Sequence, residues 1–258
     1  NLSTIPGSDF PDFDVIKSDT THKITPNKLY ELFLKTSFAM ANQDWRHYLN
    51  GCLFEKTGSS INMVATDAHR LAIYKSNLEG EGDFTGIVPR KTVIELMKIL
   101  PKQEDEIEFY INSNNIVFMS KKFTFKSKLI DGNYPNYNQV IPQGEGSKIT
   151  FNRKNMLDSL SRVSVLTSEK FKGVKLKAES GVLDISAHNP DQESAEEKLD
   201  VTSAGNEFDI AFNVNYLKEV LGTIDEEEIS LISFGSDKSA LVESGDSNQV
   251  LVLMPLLL

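Results

Sequence analysis

Asp67 and His69 are the side chains whose types and spacing could do chemistry, because they lie two residues apart in a short, mostly apolar run. Such a pair could bind a metal ion or transfer a proton, as in a metal-dependent hydrolase. A metal site needs further ligands, yet the other histidines follow no metal-binding spacing: His22, His47 and His188. The sequence contains no glycine-rich phosphate loop, nucleophile elbow or HExxH motif. A strand followed by a turn is the favoured interpretation of this run.

The composition limits the class of protein. The 258 residues suit about two domains, and 40% apolar with 25% charged residues is ordinary for globular proteins. No run approaches the roughly 20 apolar residues of a membrane helix, so we predict no membrane partner. The single cysteine, Cys52, fits a reducing compartment and predicts a cytoplasmic protein. The net charge of −10 is only a weak argument against nucleic acid, since binding depends on where the cations lie. We predict no metal and no cofactor.

The sequence repeats itself at a spacing of about half its length. A shift of 122 positions places Gly51 on Gly173 and aligns two further apolar stretches. The aligned residues are Ile61, Met63 and Ala65 with Leu183, Ile185 and Ala187, and Ile107 and Phe109 with Ile229 and Leu231. Such a period predicts two copies of one unit.

A second match concerns the start of the chain. Phe10, Pro11 and Phe13 fall on Tyr134, Pro135 and Tyr137 at a shift of 124. The later run closes the first copy, so the earlier one is expected to close a copy upstream. We predict a linker over residues 1–20, a middle domain over 21–142 and a C-terminal domain over 143–258. The alternative is an aromatic-proline-aromatic linker that is simply used twice.

Four segments have helical periodicity, with starts near residues 26, 89, 152 and 213. The segments between them alternate like strands, for example over 107–111, 182–186 and 229–233. The sequence therefore predicts an α+β protein of two tandem domains. Each domain has two helices packed on antiparallel sheets, in duplicated half-units of one helix plus strands.

Cations lie on the outer faces of the predicted helices, although Glu95 and Asp158 interrupt them. The charged face of a single helix is usually just solvated. Four equivalent helices arranged around one axis would instead direct their cations onto one concave surface. The candidate residues are Lys28, Lys35, Arg90, Lys91, Lys98, Lys102, Arg153, Lys154, Arg162 and Lys218.

Five runs in order along the chain resemble one known family. They are NQDWRHYLNG (42–51), ATDAHRLA (65–72), IVPRKTVIEL (87–96), EKFKGV (169–174) and VLMPL (252–256). Together they resemble the bacterial DNA sliding clamps, the beta subunit of the replicative DNA polymerase III, over that family's second and third domains. The resemblance implies a non-catalytic processivity factor, and the remaining alternatives are the hydrolase and a peptide-binding scaffold that never touches DNA.

The resemblance implies a ring around duplex DNA. Two full-length protomers would join head to tail, with helices lining the hole and phosphate contacts that carry no sequence information. We expect the ring interface near Val165 and Leu166, with the acidic stretch from Glu193 to Glu197 as a further candidate. Without an upstream domain, this chain is expected to be monomeric.

The resemblance also implies a pocket for peptides of polymerases, the clamp loader and repair proteins. Its walls would be Leu49, Thr66, His69, Arg70, Leu71, Pro135, Val140, Ser239, Val252, Leu253, Met254, Pro255 and Leu256, with Arg46 and Tyr48 bordering an adjoining groove. The chain departs from the family pattern at three places, Ala68, His47 and Leu256-Leu257, where glycine, tyrosine and a Met-Arg pair are common.

Overall fold

The computed structural model describes residues 3–9, 20–167, 172–204 and 208–256. The aromatic run at 10–13 and part of the run at 169–174 lie outside these ranges. Four α-helices begin within one residue of the predicted starts. They are α1 (Pro26–Leu34), α2 (Arg90–Ile99), α3 (Arg153–Val163) and α4 (Val214–Gly222).

Local sequence explains where three of these helices begin. The side chains of Thr25, Asn152 and Asn213 each accept a hydrogen bond from a backbone N–H of the first turn of α1, α3 and α4. Helix α1 also has Pro26 at its first position, where a missing N–H costs nothing. One apolar stripe of each helix is buried, so the helices are held by packing against the sheets.

The strands follow the same order in two units, except that the second unit has one additional short strand, β13. The first unit contains β1 (His22–Ile24), β2 (Gly51–Thr57), β3 (Ser60–Thr66), β4 (Arg70–Asn77), β5 (Phe84–Pro89), β6 (Ile107–Ile111), β7 (Asn115–Met119) and β8 (Thr124–Lys128). The second unit contains β9 (Ser147–Asn152), β10 (Gly173–Glu179), β11 (Val182–His188), β12 (Ser194–Asp200), β13 (Thr202–Ala204), β14 (Phe208–Asn213), β15 (Glu228–Ser233), β16 (Ala240–Glu243) and β17 (Gln249–Leu253). This duplication confirms the predicted fold.

The two units share one sheet. Nine strands run in the order β13-β9-β15-β16-β17-β4-β3-β2-β5, and all pairs are antiparallel. The link between the units is the pairing of β17 with β4, which we call the junction. Two four-stranded sheets complete the fold, β1-β6-β7-β8 and β12-β11-β10-β14.

The nine-stranded sheet has two different faces. The main core lies between this sheet and the helices, and it contains buried residues of all four helices. A smaller apolar cluster lies on the opposite side, which we call the outer face. The segment 129–141, which we call the connector, contributes Ile130, Tyr134, Tyr137 and Ile141 to that outer cluster. None of the described helices is long and apolar enough to cross a membrane.

Candidate functional site

The outer face carries a continuous row of side chains across the junction. Thr66 of β3 lies opposite Leu71 of β4, Leu71 opposite Val252 of β17, and Val252 opposite Leu241 of β16. Directly opposed residues of an antiparallel pair point to the same face. Leu71 and Val252 are fully buried, while Thr66 and Leu241 are partly exposed. We call these four residues the pocket floor.

The connector is anchored beside this floor by two tyrosines. The Tyr137 hydroxyl donates to Glu55 Oε1 at 2.5 Å, and the Tyr134 hydroxyl lies 3.5 Å from the Val64 carbonyl oxygen. Burial raises the pKa of both phenols, and for Tyr137 the hydrogen bond to Glu55 raises it further. Both groups therefore stay neutral donors that hold the connector on the sheet.

Two connector residues predicted as pocket walls lie above the sheet. Pro135 is exposed, and Val140 is 38% exposed. The Ser239 hydroxyl donates to the Val140 carbonyl oxygen at 3.1 Å, so these two predicted residues come together from different units. The result is an apolar floor beneath a rim of connector residues and Ser239.

The end of the described chain leaves the sheet at the junction. The Met254 N–H donates to the His69 carbonyl oxygen at 2.8 Å, and the Leu256 N–H donates to the Ala211 carbonyl oxygen at 2.7 Å. Met254, Pro255 and Leu256 are all partly exposed. They form a border between the β3–β4 turn and β14. Leu257 lies outside the described residues.

Two predicted wall residues point to the helix side of the sheet. Leu253 lies opposite Arg70 in the β17–β4 pair, and Leu253 is 1% exposed within the main core. Successive strand residues alternate between faces, so Leu253 and Arg70 point to the helix side while Val252 and Leu71 point outward. The prediction that the Leu253 side chain lines the outer pocket is therefore wrong. Arg70 lines a cavity together with His69, Asp44 and Trp45, and it stays a predicted site residue.

Arg70 instead joins the two units on the helix side. Its guanidinium donates to Asp67 Oδ2 at 3.2 Å, to the Phe38 carbonyl oxygen at 2.6 Å and to Glu219 of α4. It also lies over the Tyr216 and Phe38 rings, 4.5 Å and 5.2 Å from their centroids. We call these five residues the junction cluster.

The geometry of Asp67 and His69 does not support catalysis. The Asp67 carboxylate accepts from the backbone N–H groups of His69 and Arg70 and from the Arg70 side chain. The His69 ring stacks on Tyr216, with 5.7 Å between centroids. No group of three or more metal-binding side chains occurs in the part of the chain that the structure describes. The pair shapes a turn.

The groove predicted beside the pocket has one strong ion pair. Arg46 and Asp44 are joined by two hydrogen bonds of 3.0 Å and 2.8 Å, which lower the pKa of Asp44 to about 2. Tyr48 packs against the outer cluster. Leu49 is 2% exposed, so its side chain supports the groove from below and is not part of its accessible surface. Trp45 is 82% exposed and lies beside Arg46.

The predicted DNA-facing cations differ in burial and in whether their charged groups already have partners within the protein. Lys35 is the exception, because its ammonium group is buried and donates to the Thr223 carbonyl oxygen at 2.8 Å and to Asp225 at 2.6 Å. Lys35 is a contact between the units, and its prediction as a DNA-facing residue is wrong. Lys98 is paired with Glu95, and Arg162 with Glu197. Three cations each bond a backbone carbonyl: Lys28, Arg90 and Arg153.

Comparison with known proteins decides the family. Residues 23–136 match the central domain of the DNA polymerase III beta subunit, and residues 138–257 match its C-terminal domain. The beta sliding clamp of Pseudomonas aeruginosa is 39% identical over 258 residues, which cover 99% of this chain and 70% of that protein. The chain belongs to the bacterial beta sliding clamps. The clamp of Escherichia coli K12 is 38% identical, with the same coverage.

Solved clamp structures have the same fold. The DNA polymerase III subunit beta of Pseudomonas aeruginosa superposes with a TM-score of 0.95 at 39% identity, covering 100% of this chain and 71% of that one. A second structure, of the Pseudomonas aeruginosa clamp bound to griselimycin, has a TM-score of 0.94 at 39% identity, with 100% and 70% coverage. The predicted family and the function of a non-catalytic processivity subunit are confirmed, and the hydrolase finds no support.

Sequence reasoning missed several residues of this clamp's site. The alternation of β16 could have placed Leu241 on the floor. Phe38, Tyr216 and Glu219 had no comparable signal, because their contacts with Arg70 join segments that are distant in sequence. The departure from the family pattern at Ala68 has a structural consequence. Ala68 has a φ of +74°, in the left-handed region that favours glycine.

Proposed function

We propose that this clamp forms part of a ring that encircles duplex DNA at any sequence and holds partner peptides in the outer-face pocket. The observation that carries the ring is the pairing of β17 with β4, because it joins one unit to the next by strand edges. Their counterparts, β8 and β12, are each the last strand of a sheet within the described residues. Each could therefore pair with a further unit in the same way.

Val165 supports the same arrangement. It lies thirteen positions after the N-cap Asn152, as Phe38 lies thirteen after Thr25. Phe38 packs against Arg70 at the junction, whereas Val165 is 78% exposed. An exposed apolar residue at the place of a contact residue fits an edge that takes a partner. We keep Val165 and Leu166 as the proposed interface of a homodimeric ring in the full-length protein, with domain limits of 21–142 and 143–258.

The helix-side cations fit a hole that contains DNA. Lys91, Lys102 and Lys154 are exposed, Lys218 is partly exposed, and none of the four forms an ion pair with another described residue. Lysines of this kind can contact phosphate oxygens and release counterions, without reading the base sequence.

The ring is tested with the full-length protein on a nicked circular duplex, by gel filtration. We expect retention on the circle and loss after the circle is linearised, since a ring slides off free ends. Lys91→Gln with Lys154→Gln should reduce the salt slope of DNA affinity by about 2, while Lys35→Gln leaves it unchanged. Equal retention on linear DNA, or none on the circle, would contradict the ring. The second result combined with peptide binding would favour the DNA-independent scaffold.

The pocket is tested with griselimycin, the ligand of the Pseudomonas aeruginosa clamp structure. We expect this chain to bind griselimycin and Leu71→Ala to weaken binding about tenfold or more, because a buried apolar floor residue is lost. Leu34→Ala is the matched control, since Leu34 is 43% exposed on α1, away from the outer face. Unchanged affinity in Leu71→Ala would remove the floor from the site.

A further inference from the structure

A second cavity lies on the outer face, on the other side of the connector from the peptide pocket. The connector crosses the sheet over β3 and β2, because Tyr134 reaches the Val64 carbonyl oxygen and Tyr137 reaches Glu55. The pocket floor extends from β3 toward β4 and β17, whereas this cavity lies on β2 and β5 at the end of the sheet. Its volume of about 420 Å³ suits a small ligand or a side chain. We call it the connector cavity.

The walls of the connector cavity are largely apolar and aromatic. Leu53 of β2 lies opposite Ile87 of β5, and both side chains are almost fully buried in the floor. The connector contributes Ile130, Tyr134 and Tyr137, which are partly exposed. Such walls can enclose the methylene stem of a long side chain, and an aromatic ring can stack on a planar cation.

The charged groups of the connector cavity are all acidic. Glu55 lies on its floor and Asp131 on the connector, and no basic residue of the described chain lines it. Neither carboxylate forms an ion pair with another described residue. The hydrogen bonds that Tyr137 and Asn62 donate to Glu55 both end on Oε1. Within the described residues, Oε2 of Glu55 is therefore left to accept from a ligand.

The equivalent face of the second unit has the opposite chemistry. At the shift of 122 positions, Lys175 and Lys177 of β10 take the places of Leu53 and Glu55. Both lysines are already in ion pairs with neighbouring carboxylates. An acceptor on an apolar floor is thus a feature of the first unit and does not follow from the repeated fold.

We propose that the connector cavity binds an arginine side chain of a partner protein. Its guanidinium donates to Glu55 Oε2 and stacks on a connector tyrosine, while its stem packs on the apolar floor. A guanidinium is planar and donates in a fixed fork that suits a carboxylate, whereas an ammonium is a compact and strongly hydrated charge.

The same charges favour an arginine within a protein over free arginine. The carboxylate of the free amino acid would meet Glu55 and Asp131 with no cation of the cavity to balance it. In a protein that group is a neutral amide. The inference goes beyond the proposed function, and it does not depend on the peptide pocket.

The experiment titrates N-acetyl-arginine amide into the chain and follows the backbone NMR signals of residues 129–137. We expect saturable shifts with a dissociation constant on the order of 1 mM, as suits one side chain. Glu55→Gln keeps an acceptor for Tyr137 and should weaken binding about fivefold or more. Asp131→Asn, at an exposed position, should weaken it two- to threefold. The matched control is Glu179→Gln, which removes the same charge from β10 and should leave binding unchanged.

Three further compounds test the chemistry of the ligand. N-acetyl-citrulline amide has the shape of the arginine compound without its charge and should show no saturable binding. Free arginine and N-acetyl-lysine amide should each bind about threefold more weakly or worse. Equal binding of any of the three would overturn the proposal. Unchanged binding in Glu55→Gln would also overturn it, and if that variant does not fold, unchanged binding in Asp131→Asn decides in the same way.

Saturating griselimycin separates this cavity from the peptide pocket. We expect the arginine compound to bind equally well in its presence. Loss of binding would place the arginine in the peptide pocket and overturn the proposal. If griselimycin itself does not bind the chain, the proposed peptide function fails, while the titration with the arginine compound still tests the connector cavity.

Discussion

Strands β4 and β12 occupy the same place in the two units, but only β4 has a neighbour on both sides among the described strands. Their registers against β3 and β11 set Ile73 in the place of Glu196 and Leu71 in the place of Ser194. Ile73 is 1% exposed beneath the outer cluster, whereas Glu196 is exposed. The outer apolar face thus belongs to the junction and is not a property of the repeated unit.

The difference explains why a pocket forms at one place. At the junction, the floor continues across β3, β4, β17 and β16, and the connector covers part of it. The equivalent face of β12 carries the polar and charged residues Ser194, Glu196 and Lys198. Charged residues on an edge strand are expected, because they prevent pairing with unrelated strands. Within the described residues, the apolar outer face therefore forms where the two units meet and the connector packs.

The largest effect is expected when Ile73 of β4 is replaced by glutamate, the residue at the equivalent position of β12. Ile73→Glu should lower the free energy of unfolding by about 3 kcal/mol or more, because it buries a carboxylate with no partner. Urea denaturation followed by circular dichroism measures the change. The reverse substitution, Glu196→Ile, should stay within about 0.5 kcal/mol but increase self-association of the chain. Equal losses for both variants would contradict the comparison.

Strands β2 and β10 offer a second comparison. Lys56 is 2% exposed and occupies the place of Ala178, which is also buried. The Lys56 ammonium donates to the carbonyl oxygens of Gly58, Gly80 and Gly82 at 2.5, 2.9 and 3.1 Å. It joins the β2–β3 turn to the β4–β5 loop in the first unit only.

Lys56→Met should lower the free energy of unfolding by about 2–4 kcal/mol, because three carbonyl oxygens lose a charged donor. The control is Lys175→Met on β10, which removes a half-exposed pair with Asp209 and should cost less than about 1 kcal/mol. Thermal unfolding of both variants gives the comparison. A Lys56→Met protein as stable as Lys175→Met would show that water replaces the ammonium.

Local sequence signals were enough to predict the fold. They did not predict the parts of the site that depend on contacts between segments distant in sequence. Proline and asparagine indicated where the helices begin. The alternation of strand residues also implies that Val252 and Leu253 point to opposite faces of the sheet. Lys35 and Arg162 stand ten positions after equivalent N-caps. On a helical wheel they look alike, yet Lys35 bonds to the next unit and Arg162 to Glu197. Only the neighbouring unit decides between them.

A smaller effect concerns His22, which takes the place of Ile149 in the register of the second unit. His22 is 4% exposed between the Phe84 and Phe109 rings, and its Nδ1 has no hydrogen-bond partner among the described residues. Burial, and secondarily the charge of Lys56, lower the pKa of this imidazole.

The sign of the pH dependence follows from this lowered pKa. Below pH of about 6.5 the unfolded chain takes up a proton at His22 that the folded chain resists. The free energy of unfolding should therefore decrease as the pH is lowered below about 6.5. This group contributes at most about 1.4 kcal/mol per pH unit to the decrease. His22→Ile should remove that part of the slope between pH 6.5 and 5, measured by urea denaturation at each pH. An unchanged slope would assign the acid sensitivity to other groups.

The smallest expected effect lies in the turn that carries the pocket. Ala68 has a φ of +74° between Asp67 and His69, and the cost of this conformation for an alanine is largely absent for glycine. Ala68→Gly should raise the free energy of unfolding by about 0.5–1 kcal/mol. Ala195→Gly on β12 is the opposite control, since glycine weakens a strand and should destabilise it by a similar amount. If Ala68→Gly destabilised the protein as much as Ala195→Gly does, the turn would owe its shape to the hydrogen bonds of Asp67 and Thr66, with no strain at Ala68 to relieve.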